Sequence, residues 1–233
     1  MLDVASISAG YGRAQILFDV SLSTAPGEVV VLLGRNGAGK STTLKALAGL
    51  VRARSGTILF NGQRIERLAS YRIARLGLGY VPEERRIFSD LTVAENLEVG
   101  RQPARPGIAP WTFERLLALF PNLGELRARL GGHISGGEQQ MLTIARTLMG
   151  NPTTVLLDEP SEGLAPLIVA QMVRAIGELK RDGLSVLLSE QNLYFAQAVG
   201  DRAYIIEKGQ IRFEGTMADL ASDVTIREQY LSV

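Results

Sequence analysis

Residues 34–41 read Gly-Arg-Asn-Gly-Ala-Gly-Lys-Ser, a complete G-x-x-x-x-G-K-[ST] pattern. No other stretch constrains the chain as tightly, because this pattern works only between a buried strand and the start of a helix. Both neighbours are present. Glu28-Val-Val-Val-Leu-Leu33 is a continuous apolar run suited to a strand covered on both faces. Ser41-Thr-Thr-Leu-Lys-Ala-Leu-Ala48 has helical composition. In that setting Gly34, Arg35, Asn36, Gly37, Ala38 and Gly39 form a loop whose backbone N–H groups converge on phosphate oxygens. Lys40 is expected to reach the β/γ-phosphates and Ser41 to ligate Mg²⁺, with Thr42 completing the contact set and the helix dipole adding its field. The chain is therefore expected to bind a nucleoside triphosphate.

A length of 233 residues allows one large domain or two small lobes around a full core. Charge is balanced, 25 basic against 24 acidic residues, which points away from a nucleic-acid surface or a polybasic membrane anchor. Cysteine is absent, which fits a reducing compartment and excludes disulfides and thiolate metal sites. No apolar stretch approaches the length of a membrane span, and Met1-Leu-Asp-Val4 lacks a signal-peptide layout, so a cytoplasmic location is expected.

The pattern along the chain alternates. Leu2–Ser8 and Leu17–Ser23 read as strands around the turn Ala9-Gly-Tyr-Gly12, and Gly56–Gly62 as a strand ending in an Asn-Gly turn. Ala69–Arg75 reads as a short helix and Gly79–Pro82 as a strand end. From Thr92 to Arg129 the pattern is helical, broken by the three prolines of 101–110, a surface loop. Strand signals return at Thr153–Asp158, Leu184–Ser189 and Ala203–Glu207, alternating with helical stretches near 166–181 and 192–199. Lys208-Gly209 turns into Gln210–Glu214 as a hairpin. The expected architecture is an α/β core over 1–84 and 151–233 carrying an antiparallel β subdomain, with a helical subdomain inserted over 85–150.

Val155-Leu-Leu-Asp158-Glu159 is an apolar strand ending in two acids. Following a phosphate loop, the first carboxylate, Asp158, is placed to hold the Mg²⁺ shell, and Glu159 to orient or deprotonate an attacking water. Ile134-Ser-Gly-Gly-Glu-Gln139 opens a helix, Glu138–Met149, with Met141, Leu142, Ile144, Ala145, Leu148 and Met149 on one face. A serine there is ordinarily an N-cap. Two glycines beside it, Gly136 and Gly137, expose bare N–H groups and make a second anion site. One nucleotide has one triphosphate tail, so two phosphate-binding helix starts imply a head-to-tail dimer with each nucleotide between two subunits.

Residues 34–41, 134–139 and 158–159, in that order, resemble the ATP-binding cassette (ABC) family over essentially the whole chain. The resemblance implies a P-loop NTPase fold and the cofactors ATP and Mg²⁺. It further implies that Tyr11 stacks on adenine, and that Ser135, Gly136, Gly137 and Glu138 form the signature facing the γ-phosphate of the opposing subunit. Asp158 would be the Mg²⁺-associated acid and Glu159 the catalytic carboxylate.

Three departures narrow the likeness. The Q-loop position holds Glu83, the switch-histidine position holds Gln191, and Ala165 stands in the D-loop where an Asp is usual. This set is similar to the LivF-type ATPases of branched-chain amino-acid importers. Within that group Ser161-Glu-Gly163 replaces the general Ser-Leu-Gly, a change read here as bearing on subfamily rather than activity. His133, the only histidine, reads as a helix-entry residue. Gln191 would position water through its amide, leaving proton removal to Glu159. Glu83 would either ligate the metal through water or serve coupling to a membrane partner, and near the γ-phosphate it would need compensation from the cation, Arg85 or Arg86.

The function expected is the ATPase subunit of an importer for branched-chain or related amino acids. Its partners would be permease subunits, a second ABC ATPase (identical or related) and, indirectly, a periplasmic substrate-binding protein. It would lie at the inner face of the cell membrane. Thr92–Gly100 and the inserted helices would supply the docking groove, with 101–110 and Trp111 as candidate edges. The rivals are an importer ATPase for urea or short amides and a non-transport cassette. A DNA-repair clamp would need a long insertion between Lys40 and Ser135, which are only 95 positions apart.

Overall fold

The computed structural model describes residues 1–107 and 109–231; Ile108 of the proline-rich loop and residues 232–233 lie outside it. Strands β1 (Leu2–Tyr11), β2 (Ala14–Thr24), β3 (Val29–Leu33), β4 (Ala53–Phe60), β5 (Gln63–Arg64), β6 (Leu78–Val81), β7 (Thr154–Asp158), β8 (Ser185–Glu190), β9 (Arg202–Glu207) and β10 (Gln210–Thr216) form two sheets. One is antiparallel, in the order β2-β1-β4-β5. The other runs β10-β9-β3-β8-β7-β6, parallel except for the hairpin strand β10.

The helices are α1 (Lys40–Leu47), α2 (Ser70–Leu76), α3 (Val93–Gly100), α4 (Phe113–Leu119), α5 (Pro121–Glu125), α6 (Gly136–Leu148), α7 (Pro166–Arg181), α8 (Leu193–Val199), α9 (Met217–Ser222) and α10 (Val224–Leu231). None is long and apolar enough to cross a membrane among the described residues.

The apolar run of β3 is explained by its position in the middle of the parallel sheet. Its side chains alternate between two cores. Val29, Val31 and Leu33 face the helical side, with Val155, Leu157, Val186, Leu188 and the inner faces of α3, α6 and α7. Val30 and Leu32 face the other side, with α1 and the inward residues of β1 and β4 such as Leu2, Val4, Ile7, Ile58 and Phe60. The inserted helices therefore share a continuous core with the sheet.

Three sequence expectations change, and two helices carry none. The first hairpin turns at Gly12-Arg13, because Gly10 and Tyr11 still pair with Gln15 and Ala14. The helix expected from Glu138 starts at Gly136, since Ser135 caps it. Trp111 is no groove edge: it is 6% exposed within the core that contains Leu116 and Phe120. Its backbone N–H donates to Asn151 Oδ1 at 2.7 Å, and the Arg115 guanidinium stacks 3.8 Å from its ring centroid. Burying so large an apolar surface outweighs the loop character of its neighbours. Finally, α9 and α10 were not anticipated, although Thr216 and Asp219 form a reciprocal capping box at the start of α9.

Candidate nucleotide site

The phosphate loop leaves the carboxyl end of β3, where ligand crevices of open parallel sheets lie. Several main-chain bonds fix its path. Gly34 N–H donates to Glu190 O at 3.3 Å and Ala38 N–H to Arg35 O at 3.1 Å. The β9–β10 turn pins the loop from outside: Gly209 N–H donates to Ala38 O and Gly209 O accepts from Phe18 N–H, both at 2.8 Å. Only glycine fits that junction, since φ is +75° and a Cβ would lie 1.8 Å from Ile16 O. Gly39 is the N-cap of α1 and offers no side-chain acceptor. The first N–H groups of α1, those of Lys40, Ser41 and Thr42 among them, thus have no partner within the helix and suit an anion.

Lys40 and Glu159 are 3% and 6% exposed, and Lys40 Nζ lies 3.0 Å from Glu159 Oε1. The same ammonium donates to Gly34 O at 2.8 Å and Arg35 O at 3.1 Å. On its other oxygen Glu159 accepts from Gln191 Nε2 at 3.3 Å. The Glu159 carboxylate is thereby held between the phosphate-loop lysine and the switch-position amide. Glu159 also has φ +46°, the left-handed region that a non-glycine residue adopts only under outside constraint.

Ser189 supplies part of that constraint. Its Oγ donates to Asp158 Oδ1 at 2.7 Å and accepts from Glu159 N–H at 3.1 Å. Tyr80 OH donates to Asp158 Oδ2 at 3.0 Å. Burial first, then the Asp158 charge, drives the Tyr80 pKa upward, so the phenol remains a donor. Ser189, Glu190 and Tyr80 were not singled out from sequence. The two β8 residues adjoin the Gln191 segment and could have been; Tyr80 carries no local signal.

Glu83 is exposed, and its pKa is raised by partial burial and then by the charges of Glu159, Asp158 and Glu84. It therefore faces the acidic end of the site. Among the described residues neither Arg85 nor Arg86 pairs with Glu83: Arg85 donates to Glu162 O at 3.0 Å and Arg86 pairs with Glu84 at 3.6 Å. Glu162, read from sequence as a subfamily marker, belongs to the site. Its pKa is raised by partial burial, then by the neighbouring Glu159 carboxylate and the charges of Glu83 and Glu190. Glu159, Ser161, Glu162, Glu190, Gln191 and Asn192 share the wall of one open cavity of about 510 Å³.

Ser135 and Glu138 form a reciprocal cap: Glu138 N–H donates to Ser135 Oγ at 3.4 Å and Ser135 N–H to Glu138 Oε2 at 2.7 Å. That leaves the Gly136 and Gly137 N–H groups, in the first turn of α6, without intrahelical partners. Both glycines also answer to packing within the chain. A Cβ at Gly136 would lie 2.5 Å from Arg85 Nη1, and one at Gly137 3.0 Å from Ile168 Cγ1. Among the described residues no hydrogen bond or ion pair joins Ser135–Glu138 to the phosphate loop. His133 is an exposed residue of the 3-10 turn before the cap.

Tyr11 ends β1 with 49% of its surface exposed. The following strand lies against the loop, with Leu17 Cδ2 3.0 Å from the place of a Gly39 Cβ. A groove of about 570 Å³ runs between α2, β6, α3 and α6, lined by Tyr71, Arg75, Tyr80, Phe88, Val99 and Arg146. A larger cavity, about 710 Å³, lies on the antiparallel sheet between Arg52, Arg54, Arg64 and Arg67 and contains none of these site residues.

Residues 17–162 match the family model described as ABC transporter. The chain is 45% identical over 231 residues to the high-affinity branched-chain amino acid transport ATP-binding protein BraG of Pseudomonas aeruginosa, covering 99% of each. It is 37% identical to the lipopolysaccharide export system ATP-binding protein LptB of Haemophilus influenzae, covering 99% of this chain and 97% of LptB. An ATP-binding cassette of an ABC transporter in its ADP conformation superimposes with a TM-score of 0.81 at 27% identity, over 98% of this chain and 97% of that one. With the phosphate loop, its paired carboxylates and this likeness along nearly its full length, the chain belongs to the ABC transporter family as an ATP-binding, ATP-hydrolysing subunit.

Proposed function

We propose that the chain drives uptake of branched-chain or related amino acids, hydrolysing ATP at the interface of a head-to-tail cassette dimer. The observation that carries the chemical part is the Glu159 carboxylate held between Lys40 and Gln191. Glu159 would take the proton of the attacking water, and Gln191, a neutral amide with both donor and acceptor, would orient that water and the γ-phosphate. Lys40 exchanges Glu159 for the phosphates when nucleotide enters. Ser135, Gly136 and Gly137 would close the pocket from the opposing subunit, which accounts for free N–H groups at a second helix start.

The donor set near the loop is all oxygen: the Ser41 hydroxyl and the Asp158 carboxylate, with Glu83 on the outer side. Such hard ligands fit Mg²⁺, which keeps several waters and binds through one or two carboxylates plus phosphates. Bound there, it would neutralise charge on the β- and γ-phosphates. Asp158, whose two oxygens already accept from hydroxyls, would hold a metal-bound water through its remaining lone pairs.

The substrate class rests on the likeness to BraG, and the LptB likeness favours lipopolysaccharide export as a second reading. The groove beside Val99 and Phe88, both exposed, supports docking on a separate permease, which would hold the subunit at the inner membrane face. The test is a deletion strain assayed for uptake of labelled leucine, isoleucine and valine at micromolar concentration. Loss of uptake, restored by the parent gene and not by a Glu159→Gln copy, is expected. Unchanged uptake with defective lipopolysaccharide delivery or urea uptake would transfer the assignment.

A further inference from the structure

Glu190, the last residue of β8, is 1% exposed and makes no ion pair with a lysine or arginine among the described residues. Burying a carboxylate without a counter-charge is unfavourable unless its lone pairs are filled. They are filled from two loops. Oε1 accepts from the Ser161 N–H at 3.0 Å, and Oε2 from the N–H groups of Gln191 and Asn192, each at 3.2 Å. Its backbone carbonyl accepts from Gly34 N–H, the first residue of the phosphate loop. One residue thus ties together the segment after Glu159, the segment carrying Gln191 and the start of the phosphate loop.

We infer that Glu190 is a positioning residue for ATP hydrolysis, setting the separation between Glu159 and Gln191 through the backbone of the two loops that carry them. The contact that needs this control is the long one, Gln191 Nε2 to Glu159 Oε2 at 3.3 Å. Neither side chain is fixed by its own backbone. Glu159 sits at a strained φ, and Gln191 is exposed beyond the end of a strand. A neutral amide at position 190 could not replace the carboxylate, because its NH₂ group faces N–H donors and accepts nothing. A glutamine would keep one loop and release the other. An aspartate keeps both oxygens on a stem one methylene shorter and cannot span both.

The inference rests on the assignment of Glu159 as the base, so Glu159→Gln is measured beside it. Glu190→Gln and Glu190→Asp are purified with any cognate cassette, and kcat at saturating Mg-ATP is compared with the Kd for a fluorescent ATP analogue. Misplacing a catalytic group by about 1 Å costs on the order of 10²-fold in rate. Expected is a kcat loss of about that size in both Glu190 variants, with analogue Kd within about twofold of the parent. If both variants turn over within about threefold of the parent while Glu159→Gln is silent, Glu190 is not a positioning residue and the base assignment stands. If both lose analogue binding in proportion to rate, or fail to fold, its role is structural and the inference falls. If Glu159→Gln still hydrolyses ATP, the fault lies with the base assignment instead.

Discussion

Among the described residues Lys40 and Glu159 form the one ion pair in the site whose two partners are both nearly sealed from solvent, and this makes the apo protein sensitive to losing either charge. Replacing Lys40 by Met keeps the apolar stem and removes the ammonium. Glu159 then remains buried beside Gln191 with no cation, a situation that destabilises by about 3–5 kcal/mol. The carbonyls of Gly34 and Arg35 lose a charged donor as well, an effect of about 1 kcal/mol each that overlaps the first. For a domain of this size about 1 kcal/mol corresponds to 2–4 °C, so Tm is expected to fall by about 6–20 °C. Glu159→Gln alone leaves Lys40 with three oxygen acceptors and is expected to have a smaller effect. The double variant should recover much of the loss, giving a coupling energy of about 2 kcal/mol or more. The assay is calorimetric or circular-dichroism melting without nucleotide at pH 7. A Lys40→Met Tm within about 2 °C of the parent, with additive single effects, would show that the Lys40–Glu159 pair does not stabilise the apo protein.

Further outcomes follow from the same geometry. Lys40→Ala is expected to weaken ATP binding itself in equilibrium titration; unchanged affinity would reject the phosphate-loop assignment. Gln191→His is expected to stay active in steady-state hydrolysis, because an imidazole N–H can also donate to the γ-phosphate; total loss would show that the local geometry requires the amide. Glu162→Leu should raise thermal stability at neutral pH and flatten its pH dependence. A carboxyl with a raised native pKa binds more protons folded than unfolded, so its stabilisation is present at low pH and is lost as pH rises above the ordinary value of 4.5. Identical melting of parent and variant from pH 5 to 8 would contradict the placement of Glu162 among these acids.

The parts of the fold legible in the sequence were those set by local pattern. The apolar runs of β3, β7 and β8 announced a parallel sheet, and the helical stretch expected near 166–181 is the helix Pro166–Arg181. The phosphate loop, Asp158 and Glu159 were found because their residue types sit at fixed offsets from strand ends. What escaped depends on contacts between distant segments. Tyr80 meets Asp158 across 78 positions and Ser189 meets it across 31, and neither spacing has a sequence signature. Trp111 looked like a loop residue because prolines surround it, but tertiary packing buried it. Glu162 departs from a family pattern and has no local signal of a role; the fold puts it on the same cavity wall as Glu159 and Glu190. The capping box Thr216 to Asp219 is a local signal of the α9 start.

The claim on which the account turns is that two chains complete each other around nucleotide. The most direct measurement is the mass of the Glu159→Gln protein by light scattering, with Mg-ATP and without, alone and mixed with its cognate cassette. The expected result is an ATP-dependent shift from monomer to dimer, abolished by adding Ser135→Arg to the same chain. A protein that binds ATP yet keeps the monomer mass in every mixture would contradict the account.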